Sequence, residues 1–250
     1  YILDDGFVTI DEIKDLKGKL PKGTYALTYG NLPWAFMSLL YGAGGTLEND
    51  MDDLTKDVWR KPMEKLKEAY DAGVIAPMDV DGEQAFGSGK AVFAQLGTWA
   101  QGNMSNTLGA DKIAEANTLQ YSADNPVNFF YQCNWMQLKD PHRSAAKSAA
   151  AADFVKYVYE HWMDWSEVGS ISPAYRDLNN PEYQKLIQAS FTNSKKERDY
   201  IKTSNYLYGG YATAGWGTYN DIVYGNVGLE EGLKTLDLMA QGQIEIQEES

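Results

Sequence analysis

Residues 84–101, QAFGSGKAVFAQLGTWAQ, set a short run of alternating side chains between two glycine turns. Val92 and Ala94 alternate with Phe93 and Gln95, the two-residue period of a strand. Gly87 and Gly89 before the run, and Gly97 after it, mark places where the backbone turns sharply or lies close to another group. The stretch therefore predicts a short helix, a strand, and a second helix with Trp99 in its first turn. In an open α/β sheet, ligands bind beyond the carboxyl ends of the strands, which is the address of Trp99. A large aromatic at the same address can also be a core anchor, and its position alone leaves both readings open.

Other segments of the chain repeat this grammar. Thr9 and Glu12 form a capping-box pattern that opens a helix over 10–20. TYALTY (24–29) reads as a strand, and NLPW ends it, with Pro33 suited to the first turn of an apolar helix that stops at the glycines of 42–45. Trp34 thus shares the address of Trp99. Thr55 predicts the cap of a helix to about 72, closed by Gly73. Past Trp99 the pattern predicts a polar helix to 108, another at 110–116, and a short strand NTLQY. NPVNFFYQCNWMQL is the longest strand-like run. An alanine-rich helix spans 144–161, with Ala149, Ala152, Phe154, Tyr157 and Val158 able to line a buried face. Helices are also predicted at 181–191, at 195–204, after the glycine- and aromatic-rich run YLYGGYATAGWGTYNDIVYG, and at 229–240.

Composition removes several function classes. The net charge of −13 would repel nucleic acid or an anionic membrane surface. No apolar run reaches the ~18 residues that a membrane-spanning helix needs. The two histidines, His142 and His161, stand in no zinc-binding spacing, so neither metal nor cofactor is expected. The acidic run around 48–57 and DVDGEQAF lack the calcium-loop pattern. FGSGKA lacks the first glycine of a phosphate loop, where Gln84 stands, and has Ala91 in place of the magnesium-holding hydroxyl. There is no nucleophile elbow, and the one cysteine, Cys133, sits in a strand-like run where a buried, inert thiol is expected. The chain opens YILDDGFVTIDEI, which reads as the interior of a protein and sets the expectation that an N-terminal part precedes it.

What remains is aromatic: 7 Trp and 17 Tyr. Trp34, Trp99, Tyr211, Trp216 and Tyr219 stand beside Gly, Asn or Gln at turn–helix junctions, where flat rings can stack on sugar faces while nearby amides bond the hydroxyls. Trp59, Trp135, Trp162 and Trp165 lie within predicted helices or a strand and are expected to fill cores.

The order of these landmarks resembles the extracellular solute-binding proteins of ABC transporters, in the carbohydrate-binding branch that includes maltose-binding protein. The resemblance rests on AFGSGKAVFAQLGTW, on NWMQLKDPHRSAAKSAAAADFVKYV, and on GWGTYNDIVYG before a last helix. It implies an α/β, periplasmic-binding-protein type II-like two-lobe fold, with the C-terminal lobe complete and only part of the N-terminal lobe present. Residues 1–128 and 179–250 would form the C-terminal lobe, and 129–178 the returning segment of the other, with FFYQCN as a hinge crossing. The implied ligand-binding set is Asn31, Trp34, Trp99, Tyr211, Trp216, Tyr219 and Asn220. Asn220 stands where the maltose-binding branch has an Arg, and Leu32 where it has a carboxylate, so the sugar's identity stays open. The implied role is the binding component of an importer, not an enzyme. It captures a carbohydrate in an inter-lobe cleft and delivers it to membrane permease subunits from the periplasm or outer face of the membrane, secreted or lipid-anchored. The competing readings are a glycosidase, for which Glu83, Asp124 and Asp221 are the acids near the aromatic landmarks, and a receptor for a polyamine or peptide.

Overall fold

In the computed structural model of the chain, the first helix starts as its capping box predicts. The Glu12 amide donates to Thr9 Oγ1 at 3.2 Å and the Thr9 amide to Glu12 Oε2 at 2.8 Å, opening α1 (Ile10–Asp15). The structure describes residues 7–30, 32–129, 135, 137–169, 177, 179–189, 198–201, 212 and 214–248. Helix α1 stops short of the predicted 20 because the chain tightens into turns after Asp15.

The stretch around 84–101 folds as its glycines and periodicity dictate. Asp81 caps α4 (Gly82–Gly87), its carboxylate accepting from the Gln84 amide at 2.7 Å. Gly89 takes a left-handed φ of 73°, and β2 (Ala91–Gln95) follows. Strand β2 pairs in parallel with β1 (Tyr25–Tyr29), Leu27 opposite Phe93 and Tyr29 opposite Gln95. On the other side of β1, Leu27 bridges Ile75, and the Ala26 amide donates to the Val74 carbonyl at 2.8 Å. Three parallel backbone segments thus run side by side, the α/β pattern expected.

Helices α2 (Leu32–Gly42) and α3 (Asp57–Asp71) pack on each other, and their apolar side chains share one core with Ala26 and Leu27 of β1. Helix α2 is buried on nearly every face, which is why its sequence is apolar throughout rather than in a stripe. Its interior Ser38 is used fully: the Thr118 hydroxyl donates to Ser38 Oγ at 2.8 Å and the Phe129 amide at 3.0 Å. Asn125 donates to the Tyr41 and Gly42 carbonyls at 3.2 and 3.1 Å, satisfying acceptors that the helix end leaves open. Helix α3 starts at Asp57 rather than under a Thr55 cap, because Thr55 donates its amide and hydroxyl to Asp53 Oδ1 instead.

Beyond β2 a 3₁₀ turn (Thr98–Ala100) leads into α5 (Gln101–Leu108). The helix predicted over 110–116 is a single 3₁₀ turn, Ala110–Lys112, and the predicted strand NTLQY contributes one isolated bridge, Gln120 to Thr9. The long strand-like run supplies β3 (Val127–Phe129), and its continuation through Cys133 lies outside the described residues. Helices α6 (Ala145–Glu160, capped by Ser144) and α7 (Trp162–Gly169) follow. Among 181–191 there is a 3₁₀ turn, Tyr183–Lys185, rather than a helix. Residues Arg198–Ile201 form β4, parallel to β3, where a helix was predicted. Pairing with a strand some seventy residues away overrides the local pattern there. Helices α8 (Trp216–Val223) and α9 (Leu229–Glu248) close the described chain, α9 running well past the predicted 240.

The contacts divide the chain into two units. One comprises Tyr1–Leu96, Ala116–Phe130 and Ser194–Ser250, the other Gly97–Glu115 and Tyr131–Asn193. These boundaries differ from 128 and 179. Residues 97–115 go with 131–193, and a reason is visible in the amides: Gln101 Nε2 donates to Gln188 Oε1 at 3.0 Å, and Gln188 Nε2 to the Ser166 carbonyl at 2.9 Å. The first unit holds the main core, with Trp59, Phe36, Tyr219, Met63 and Leu39 closed to water. Trp59 stacks on Phe36 at 5.8 Å between ring centroids, and its indole N–H donates to the Asp50 carbonyl at 2.8 Å.

Of the other tryptophans expected in cores, Trp162 is half-buried beside Tyr183, whereas Trp135 and Trp165 are exposed. None of the residues of α6 is buried, so Ala149, Ala152, Phe154, Tyr157 and Val158 do not line a core. An alanine-rich helix has too little amphipathic contrast for its sequence to say which face is covered.

Candidate ligand-binding site

Helix starts supply the candidate residues, unit by unit. Strands β1 and β2 end side by side at Tyr29 and Gln95, and each is followed within a few residues by a tryptophan in the first turn of a helix, Trp34 in α2 and Trp99 in the Thr98–Ala100 turn. A third tryptophan, Trp216, is the first residue of α8.

In the first unit, Trp34 and Trp216 meet edge to face, with ring centroids 6.2 Å apart and planes inclined by 72°. Phe129 stacks on Trp34 at 6.4 Å and 11°, and Tyr41 on Phe129 at 5.8 Å and 24°. The result is a ladder of rings, Tyr41, Phe129, Trp34 and Trp216, that runs from core to surface: Phe129 is buried, Trp34 half-buried, Trp216 exposed over 41% of its area. Such pairs contribute about 0.5–1.5 kcal/mol beyond area burial, which stiffens the outermost rings. Gly215 precedes Trp216 where the start of α8 lies on α9: a Cβ there would come within 2.5 Å of Leu236 Cδ2 and 3.2 Å of Met239 Sδ, so a larger residue would make those side chains shift. At the inner end, burial pushes the Tyr41 phenol up to about 12, against the lowering effect of the Leu47 amide that donates to it. That ring is neutral at any physiological pH.

In the second unit, Trp99 is exposed over 64% of its surface, and Ala100 and Met104 beside it are buried. The wall of this unit also carries Glu115, half-buried in a cavity of about 380 Å³ with Ile113, Leu186 and Ile187, and burial raises its carboxyl to about 7.

The predicted site residues therefore separate. Trp34 and Trp216 come together, and Trp99 is presented to water within its own unit. Asn220 is half-buried one turn after Trp216, its carbonyl accepting the Tyr224 amide at 2.8 Å. Tyr219 is corrected from surface to core: it is closed to water, donates its hydroxyl to the Ala212 carbonyl at 2.5 Å and packs on the edge of Phe36 at 5.4 Å. Its spacing from Trp216 puts the two near one face of the helix, and what separates them is the cover that Phe36 and the Ala212 carbonyl give Tyr219. Asn31 and Tyr211 lie outside the described residues. The sequence reading missed Phe129, the ring that joins Trp34 to Tyr41, since no local signal ties a strand residue to a helix start some ninety positions earlier.

Of the acids that the glycosidase reading singled out, Asp221 Oδ1 accepts from Asn226 Nδ2 at 3.1 Å and Glu83 stands in the first turn of α4. Among the described residues no three His, Cys, Asp or Glu side chains cluster as metal ligands, and no helix is long and apolar enough to cross a membrane.

The profile of the family described as bacterial extracellular solute-binding protein matches residues 4–192. Two similar solved structures are the cyclic alpha-maltosyl-1,6-maltose binding protein from Arthrobacter globiformis and the maltose/maltodextrin-binding domain from Bdellovibrio bacteriovorus bound to maltotriose. The first is 19% identical with a TM-score of 0.64, over 95% of this chain and 64% of that one. The second is 14% identical with a TM-score of 0.64, over 98% of this chain and 68% of that one. The chain thus spans about two thirds of the length of the binding proteins it resembles, and the likeness carries their α/β fold. No curated protein matches it.

Proposed function

The chain belongs to the bacterial extracellular solute-binding proteins, and from that premise we propose that it binds a carbohydrate by aromatic stacking and hands it to the membrane permease of an ABC importer. The observation that carries this reading is the display of indoles at helix starts: Trp216 and Trp99 present large apolar faces to water, and Trp34 backs Trp216 edge-on. Large aromatics are ordinarily buried, so a rigidly supported, exposed indole beyond a strand end is suited to meet a flat apolar face such as that of a pyranose ring. The sugar ligands named for both structural neighbours agree with that chemistry. Protein of this kind works outside the cytoplasmic membrane, and a lipid anchor or secretion would keep it near its permease.

The binding step needs no bond making. Stacking supplies apolar contact, and half-buried amides such as Asn220 can bond sugar hydroxyls. The matched family is one of solute-binding proteins, which favours a receptor over a glycosidase.

A thermal-shift screen against mono- and oligosaccharides, with tryptophan emission followed in parallel, tests this. A ligand at a hundred times its Kd stabilises the folded state by about 2.7 kcal/mol, which a melting curve resolves readily. We expect one sugar class to raise Tm, with the rise lost in Trp99→Ala or Trp216→Ala. A rise with cationic polyamines or peptides and none with any sugar would overturn the carbohydrate assignment. Turnover of a chromogenic glycoside would overturn the receptor assignment.

A further inference from the structure

We infer that Gly97 is a positioning residue for Trp99: the space left by its missing side chain is where the indole sits, and this sets which face of the ring is open to ligand. Gly97 precedes the Thr98–Ala100 turn with φ −81° and ψ 163°, an extended conformation that any L-residue adopts without strain. Conformational freedom therefore does not account for glycine at this position. Gly89, eight residues earlier, shows the contrast, with a left-handed φ of 73° and nothing within 4 Å of where a side chain would begin.

At Gly97 the account is steric. A Cβ built there would lie 1.6 Å from Trp99 Cζ3, 2.0 Å from Cε3 and 2.2 Å from Cη2. Carbon atoms in contact stand about 3.5–4.0 Å apart, so a methyl group and the indole cannot share the space. The six-membered ring folds back over the Gly97 α-carbon while most of the side chain stays open to water, 64% of it exposed. A ring held from behind by backbone has fewer rotamers to lose when a ligand stacks on its front. With alanine at 97 the backbone can stay, but the ring must rotate away.

The part of this inference that concerns ligand rests on the reading of Trp99 as a stacking residue; the part that concerns the ring does not. The experiment is a double-mutant cycle, Gly97→Ala and Trp99→Ala singly and together, on melting temperature and on binding of maltotriose as probe. The emission and acrylamide quenching of Trp99 are read as the difference between each Trp99 protein and its Trp99→Phe counterpart. Gly97→Ala should shift the Trp99 difference spectrum and weaken maltotriose binding about tenfold, the loss of roughly one stacking contact. In the Trp99→Ala background the same change should leave binding and melting unaltered. An unchanged Trp99 spectrum, or an equal loss of affinity in both backgrounds, would overturn the inference. Should Gly97→Ala unfold the chain, the double variant decides: a recovered melting transition upholds the steric account and continued unfolding overturns it. A shifted spectrum with no maltotriose binding by the parent upholds the control of the ring by Gly97 and counts against the stacking role of Trp99.

Discussion

Tyr219 and Trp216 share one helix and one aromatic-rich run, yet substitutions at them should report on different properties. Tyr219→Phe removes the donor to the Ala212 carbonyl in a closed core and should cost about 1–2 kcal/mol in chemical denaturation while leaving ligand affinity unchanged. Trp216→Ala removes a partly exposed ring with its edge contact to Trp34 and should cost ligand affinity about tenfold, as titration by tryptophan emission would show, together with about 1 kcal/mol of stability or more. Glu115 sets a pH dependence. Burial lifts its carboxyl from an ordinary 4.5 to about 7, so the folded chain holds this proton more tightly than the unfolded chain does. Below about pH 4.5 both states are protonated and the group costs nothing. As pH rises from 4.5 to 7 the unfolded state ionises first and stability falls, then stays level. Glu115→Gln should flatten that slope and raise stability at pH 8 by on the order of 2 kcal/mol, read from melts between pH 4 and 8.

At the scale of elements, caps and short-range periodicity were legible. Thr9 with Glu12 places a side-chain oxygen on a free amide within three residues, so that signal is complete in the local sequence; Asp81 before α4 and Ser144 before α6 obey the same rule, but the sequence reading missed them as caps. The elements that escaped are those whose partners are distant. β4 is a strand because β3 is beside it, and Thr55 is not a cap because Asp53 takes its hydroxyl. Ser38 shows what such distant bonds are worth. It accepts from Thr118 and Phe129, tying α2 to β3 and to the strand-like segment before it, and sequence alone would read it as an ordinary small residue of an apolar helix. Ser38→Ala leaves the buried Phe129 amide short of its acceptor and should lower stability by about 1–3 kcal/mol in urea titration, whereas Ser38→Thr, which keeps the oxygen, tests whether the site also has room for a methyl group.

At the scale of the whole chain, the second unit keeps much apolar surface open. Trp135 and Phe154 pack edge to face at 5.6 Å yet are 61% and 53% exposed, and α6 buries no side chain. A patch of this kind binds apolar dyes. Phe154→Glu should therefore reduce the fluorescence of added anilinonaphthalene sulfonate severalfold with Tm unchanged; a fall in Tm instead would mean that Phe154 contributes to packing. The net charge of −13 opposes self-association of chains through this patch at neutral pH, an opposition that weakens as pH approaches the isoelectric point near 4.6.

By itself the sequence determined where the capping box opens a helix, where glycine must turn the chain, and which aromatics stand at helix starts, because those outcomes depend on groups a few residues apart. Only the tertiary structure decided which of those aromatics meet water. Trp34 and Tyr219 are drawn inward by Phe129 and Phe36, Trp216 is left outermost, and Trp99 is turned outward over a glycine backbone. A side chain's exposure is set by what the rest of the fold brings against it, and no spacing along the chain encodes that.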